Sequence, residues 1–388
     1  MKVGIITLPL HLNYGGYLQN YALQIVLKKL GHIPLTLNQR PKRKPFKERI
    51  STVYLPNIKT IAMIVLGNSK GRSLKHLHGN DLKLVLWKNS FYFLDKYIEH
   101  TQPLRPRKDF KNICDKYNLS ALIAGSDQVW RPRYIECLDV NYLAFDNRRK
   151  IKKISFAASF GTDKWEYGEQ ETLSCKKYLE SFSLITVREK SAVDLCKKYF
   201  EQNSYQVLDP TLLLTKEDYQ KIIEEENEPP SLGSLFCYVL DETPRKRTLI
   251  ETIENTTGLR SFSVNIGKNP INYSKNYILN HLEIFQNPPV TKWLRGFMDA
   301  KMVITDSFHA VAFSVIFNKP FWVVGNKSRG LARFYSILEL FHLEKRLIDE
   351  TDIEKKYEWN SPIDWVEVNN IRKERIKTSI ELLRKGLS

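Results

Sequence analysis

Apolar residues fall along this chain in short continuous runs, and polar residues gather at the ends of those runs rather than within them. Lys2 to Leu8 is the first run. A loop, "PLHLNYGG", follows, and "YLQNYALQIVLKKLG" then sets Leu18, Tyr21, Ala22 and Ile25 at helical spacing before closing on Gly31. "PLTL" makes the next strand, so the chain opens with a strand–helix–strand unit. Residues 40–80 interrupt the pattern with a basic insert beginning "RPKRKPFKER". A helical stretch near 82–99 precedes the strand-like runs "SALIAG", "KKISFAAS" and "SLITVRE". Helical segments separate the last two and follow the third, and "YQVLDP" closes the series. Apolar runs without alternation are expected of parallel strands covered on both faces.

"NEPPSLG", Asn227 to Gly233, has the prolines, glycine and polar residues of a linker. Beyond it the rhythm restarts: "SLFCYVL", a helix near 244–255, "RSFSVNI", a helix near 291–299, "KMVITD", a helix near 309–317, and "FWVVGN". A charged helix near 366–386 is placed to pack back across the first half. A single core rarely grows past ~250–300 residues, so 388 residues call for two. The pattern predicts an α/β chain of two Rossmann-like domains facing a cleft, the GT-B-like architecture of sugar-transferring enzymes. Residues 1–226 form the first domain, 227–233 the linker, 234–345 the second domain and 346–388 a helical segment.

Lys and Arg exceed Asp and Glu by enough to give a formal net charge of +17. Such a balance points to anionic partners: phosphorylated substrates, a membrane face or nucleic acid. No helix-turn-helix, zinc-finger or RNP-type signature is present, which sets nucleic acid aside. Cys114, Cys137, Cys175, Cys196 and Cys237 are odd in number and contain no C-x-x-C pair, which suits a reducing cytoplasm and argues against a disulfide framework or structural zinc. His76 and His78 alternate without a second ligand pair nearby and read as loop residues. No apolar run approaches the ~18 residues of a spanning helix. "MKVGIITLPL" lacks a small-x-small cleavage site and reads as a first strand. "IAMIVLG", Ile61 to Gly67, lies among the charges of the basic insert. That combination is either a solvated loop or a wedge for peripheral contact with the anionic inner face of the cytoplasmic membrane.

In open α/β sheets, ligands bind outside the carboxyl ends of the strands. Here the first run ends at "HLNYGG", with Asn13, Gly15 and Gly16; "ALIAG" ends at Ser126, Asp127 and Gln128; "ISFAAS" ends at Ser159 and Gly161; "LITV" ends at Arg188-Glu189. In the second half "VIT" ends at Asp306-Ser307-Phe308-His309, and "FWVVG" ends at "NKSRG", with Lys327 and Arg329. Each has a plainer reading: Gly15-Gly16 as a turn, Asp127, Asp306 and Ser307 as helix caps, Arg188-Glu189 as a surface pair. Six polar strand ends together favour a site, with His309 the candidate for proton transfer near neutral pH.

The strings "NYGGYLQNYALQ", "AGSDQVWRP", "SFAASFG", "VREKSAVDLC", "VLDPTLLL", "WLRGFMDAKMVITDSFHA" and "FNKPF" with "RGLARFYSILELFHLEKRL" resemble, in order, the polysaccharide pyruvyl transferase family over roughly residues 1–345. The resemblance implies a GT-B-like enzyme that moves the enolpyruvyl carbons of phosphoenolpyruvate onto a galactose- or mannose-type sugar of a bacterial surface polysaccharide precursor. The product is a cyclic pyruvate ketal. The acceptor's carrier stays open between a lipid and a nucleotide, and neither a metal nor a redox cofactor is required. By matching motif positions, His309 corresponds to the family's histidine at the phosphoenolpyruvate site and is expected as phosphate ligand and general acid. Arg188 matches the arginine near the donor. Arg329, with Lys327 competing, lies where the family has another basic residue, and Ser307 adds a donor at a helix start. Asn13, Gly15, Gly16 and Asp127 would face the acceptor, with Asp127 the candidate general base. Ala310 departs from the glycine that usually follows the histidine. The rival reading is a GT-B glycosyltransferase with a nucleotide-sugar donor, although "DSFH" and "NKSRG" suit a small dianion better.

Overall fold

The computed structural model describes residues 1–10, 13–40, 79–105, 107–146, 151–265, 267–268, 270, 273–325, 330–352, 355 and 357–388. The basic insert with "IAMIVLG", His76, His78, Lys327 and Arg329 lie outside the described residues.

The first half is built on β1 (Lys2–Ile6), β2 (Ile33–Thr36), β3 (Ala121–Ala124) and β4 (Lys152–Ser155), parallel in the order β2-β1-β3-β4. Single bridges at Ile154–Leu184 and Ala158–Val187 carry the arrangement on toward β5 (Thr186–Val187), which pairs in parallel with β6 (Tyr205–Gln206). The second half holds β7 (Leu235–Tyr238), β8 (Ser261–Phe262), β9 (Met302–Thr305), β10 (Phe321–Val324) and β11 (Leu347–Ile348), all parallel in the order β11-β10-β9-β7-β8. Two parallel, helix-covered sheets make this the α/β, GT-B-like arrangement of two Rossmann-like halves. Strand order reverses between β1 and β3 and between β7 and β9, the two places where such sheets open a crevice.

The helices that bear on the site are α1 (Tyr14–Lys29), α2 (Lys88–Tyr97), α3 (Glu169–Leu179), α4 (Lys190–Leu195), α5 (Pro244–Thr257), α6 (Val290–Asp299), α7 (Phe308–Ile316), α8 (Ala332–Leu340) and α9 (Trp365–Leu387). Every residue of α7 is buried, and so is most of α1. A helix apolar on all sides must lie inside the molecule, and these two do so because each is covered by its own sheet and by the other half. One hydrophobic cluster therefore runs from Val3 and Leu18 through Tyr219, Trp293 and Phe313 to Leu338 without a break at the cleft. Tyr14 adds a hydrogen bond across it, donating to the Pro288 carbonyl at 3.1 Å.

Two details differ from the sequence expectation. The helix near 82–99 is two helices, Gly79–Leu86 and α2, split at Trp87. β11 has only two residues, too short a run to stand out from its surroundings. The C-terminal α9 lies against the first half: Arg372 donates to the carbonyls of Leu212 and Leu214, the Ser379 hydroxyl accepts from the Leu208 N–H at 3.1 Å, and Gly386 packs on Ile154 and Leu184.

Candidate active site

The carboxyl ends of the strands from both halves converge on Arg188. It leaves β5 with its side chain only 2% exposed, so each guanidinium bond must be made within the protein. Nε donates to Glu189 Oε1 at 2.9 Å, Nη1 to Asp209 Oδ2 at 3.0 Å and Nη2 to Ser159 Oγ at 3.3 Å. Asp127 Oδ1 stands 4.0 Å away, and the plane lies 4.1 Å from the centre of the Phe308 ring, a cation–π contact. Burial opposes the charge, but Glu189, Asp209 and Asp127 outweigh it and hold the Arg188 pKa above its ordinary value. Arg188-Glu189 is therefore no surface pair; it is the centre of a buried network.

Asp209 is the shared carboxylate. Its Oδ2 accepts from Arg188 and from Ser126 Oγ at 2.7 Å, and its Oδ1 accepts from the Thr211 N–H and hydroxyl at 3.0 and 2.7 Å. His309 Nε2 approaches the same Oδ2 to 3.7 Å, near enough for charge attraction and too far for a formed hydrogen bond. Burial pushes the Asp209 pKa up, but His309, Arg188 and Thr211 overcome it and hold the carboxyl well below the usual carboxylate range.

His309 sits in the first turn of α7, where the apolar run from β9 turns inward. Its ring lies on the backbone of Gly15, in the first turn of α1: a Cβ built on Gly15 would fall 2.1 Å from Nδ1. Only glycine allows that approach. Gly16 has no such constraint, with its nearest neighbour, Asn13, at an ordinary 3.4 Å. Asn13 Nδ2 lies 3.5 Å from Asp127 Oδ2, which joins the loops after β1 and β3 across the first crevice. Asp127 holds a left-handed backbone, φ 71°, and its Oδ1 accepts from the Gln128 N–H at 2.9 Å. Strained backbone of this kind persists where surrounding structure over-determines it.

The structure thus brings together Asn13, Gly15, Asp127, Arg188 and His309. Ser307 is buried at the start of α7, where its own N–H donates to Thr305 Oγ1 and its side chain makes no capping bond. Asp306 is not a helix cap either. Its carboxylate accepts from the N–H groups of Leu240 and Asp241 at 2.6 and 3.1 Å and from Lys246 Nζ at 2.8 Å, bracing the loop after β7 to the end of β9.

Two members escaped the sequence reading. Asp209 was legible by the same strand-end rule, since the apolar run in "YQVLDP" stops at it, but an Asp-Pro pair reads first as a turn. Arg333, buried on α8, is placed near Arg188, Asp127 and Glu189; burial, then Arg188, bring its pKa down to about 10, so it stays charged at neutral pH. Its signal was hidden in the apolar pattern of "ARFYSILEL". α8 docks on the first half beside it, with Ser336 Oγ accepting from the Lys190 N–H at 3.1 Å and from Gln206 Nε2 at 3.0 Å.

Comparison with solved structures gives resemblances that span nearly the whole chain at low identity. A UDP-glucosyltransferase from Polygonum tinctorium is 10% identical, with 100% of this chain and 98% of that one covered at a TM-score of 0.49. The UDP-GlcNAc 2-epimerase from Neisseria meningitidis is 9% identical, with 98% and 100% covered at 0.47. That from Rickettsia bellii is 11% identical, with 98% and 97% covered at 0.40. A comparison with curated proteins finds no match. The family model for polysaccharide pyruvyl transferase matches residues 13–328, a span that runs from Asn13 past His309, and the chain belongs to that family.

Proposed function

We propose that this enzyme transfers the enolpyruvyl group of phosphoenolpyruvate to a galactose- or mannose-type sugar of a surface-polysaccharide precursor, forming a cyclic ketal and releasing phosphate. The observation that supports it best is the meeting of Arg188, from one half, with His309, from the other, over a single buried carboxylate, Asp209. Phosphoenolpyruvate carries a phosphate and a carboxylate, and guanidinium groups are the natural partners of both. Arg188 and Arg333 supply two. Lys327 or Arg329 would add a third cation from the loop after β10.

His309 protonates the methylene carbon, and C2 becomes oxocarbenium-like. One sugar hydroxyl attacks C2, its proton passing to Asp127. The C2–O bond then breaks with its electron pair leaving on phosphate, and the second hydroxyl closes the ketal, its proton ending on phosphate. One hydroxyl proton therefore replaces the proton that His309 gave to the new methyl group. No electrons enter or leave, so the reaction as written needs no redox cofactor. Asp209 Oδ2 faces His309 Nε2 at 3.7 Å across the site.

Calorimetric titration with phosphoenolpyruvate tests the reading. Saturable binding by the wild type that falls at least tenfold in His309→Ala is expected. A wild type that binds no phosphoenolpyruvate, alone or with an acceptor nucleotide sugar present, overturns it.

A further inference from the structure

A small cavity where Arg188 and Asp209 face Gln206, Ser336 and Leu340 holds about 10 Å³. By contrast, about 370 Å³ lies open at the carboxyl ends of β7 and β8, on the far side of β7 from His309. Val239, Ile250 and Phe262 give it apolar lining. Its wall is polar, and there Asn265 Oδ1 is buried without a hydrogen-bond partner among the described residues. A buried carboxamide oxygen left in this state costs stability, and a ligand that donates a hydrogen bond removes the cost.

The mouth is cationic. Arg245 and Arg247 are exposed in the first turns of α5, and Arg247 is held only loosely, with Glu242 at 3.7 Å and both side chains largely in solvent. The helix end itself offers little to an anion: Pro244 has no N–H, and Thr243 Oγ1 already accepts from the Lys246 N–H. The charge that meets an anionic group at this mouth is therefore that of the arginine side chains. Lys246 forms the wall toward the candidate site, its ammonium donating to Asp306, three residues before His309.

A flat apolar body with hydrogen-bonding edges, followed by an anionic tail, fits these surroundings, and it is the form of a nucleoside diphosphate. We propose that this cavity binds the nucleoside of a nucleoside-diphosphate sugar, with the diphosphate over Arg245 and Arg247 and the sugar directed to the crevice between β7 and β9. That the bound sugar is the pyruvylated acceptor rests on the transfer reading above; occupation of the cavity does not.

The full-length protein would be titrated calorimetrically with UDP, GDP, CDP and dTDP. At least one should bind, with affinity lowered tenfold or more by Asn265→Ala and by the exposed charge reversal Arg247→Glu, and unchanged by His309→Ala. Binding of none of the four overturns the proposal. So does binding that His309→Ala abolishes while Asn265→Ala leaves it intact, because the nucleotide then occupies the Arg188 site. Phosphoenolpyruvate-dependent transfer to a lipid-linked sugar without nucleotide binding would retain the transfer reading and overturn this one. Nucleotide binding in a protein that never uses phosphoenolpyruvate would do the reverse.

Discussion

Single atoms decide the geometry at the centre of this molecule. Gly15 is the sharpest case: the Cβ that would fall 2.1 Å from His309 Nδ1 must displace the ring or part the two helices. Gly15→Ala should lower transfer by roughly 100-fold or more, the scale of a ~1 Å misplacement of a reacting group. Gly16→Ala, with its nearest contact at 3.4 Å, should change it little. Steady-state assay of the two variants side by side checks this. Asp209 governs charge rather than space. Its pKa in the folded protein is held below the unfolded value of about 3.9, so its ionisation contributes stability above that pH, lost as pH falls through the lower folded pKa. Urea unfolding of Asp209→Asn should show lower stability at pH 7 and a flatter decline between pH 5 and pH 3 than the wild type; equal slopes would refute the assignment. Arg188 and His309 were legible in the sequence because each is a polar residue at the end of an apolar run. Asp209 and Arg333 were less so, because one sits in a turn dipeptide and the other on a helix whose other residues are needed for packing.

Between elements, the bond that fixes the second crevice is Lys246 with Asp306, whose side chains are 2% and 0% exposed. Removing one partner of a buried pair leaves an uncompensated charge, at a cost of about 3–5 kcal/mol. Lys246→Met should therefore destabilise the protein by about that much, and adding Asp306→Asn should restore part of the loss, since asparagine can still accept from Leu240 N–H. Chemical denaturation of the single and double variants measures the coupling. The sequence reading of this region was half right for a physical reason. An aspartate before a helix is commonly a cap, and what redirects Asp306 is the neighbouring strand end, which comes from 60 residues earlier in the chain in the case of Lys246. Local patterns reveal that a polar group ends a strand; they do not reveal which loop lies beside it. The strands themselves were legible because parallel sheets covered on both faces need continuous apolar runs.

At the scale of the whole molecule, the halves meet closely: Tyr14 reaches the Pro288 carbonyl, Lys190 and Gln206 reach Ser336, and a Cβ on Gly330 would fall 2.3 Å from the Gly161 carbonyl oxygen. Were substrate to enter between them, the halves would have to part, and X-ray scattering should then show the protein contracting as phosphoenolpyruvate and acceptor are added; a profile insensitive to both would count against an opening cycle. α9 has a different bearing, on biosynthesis. Domains generally fold in the order in which the ribosome delivers them. Here Gly386 covers Ile154 and Leu184, and Arg372 holds the carbonyls of Leu212 and Leu214. The half that emerges first thus waits for residues translated after the other half, and a nascent chain stalled before Trp365 should remain a chaperone client however long it is held.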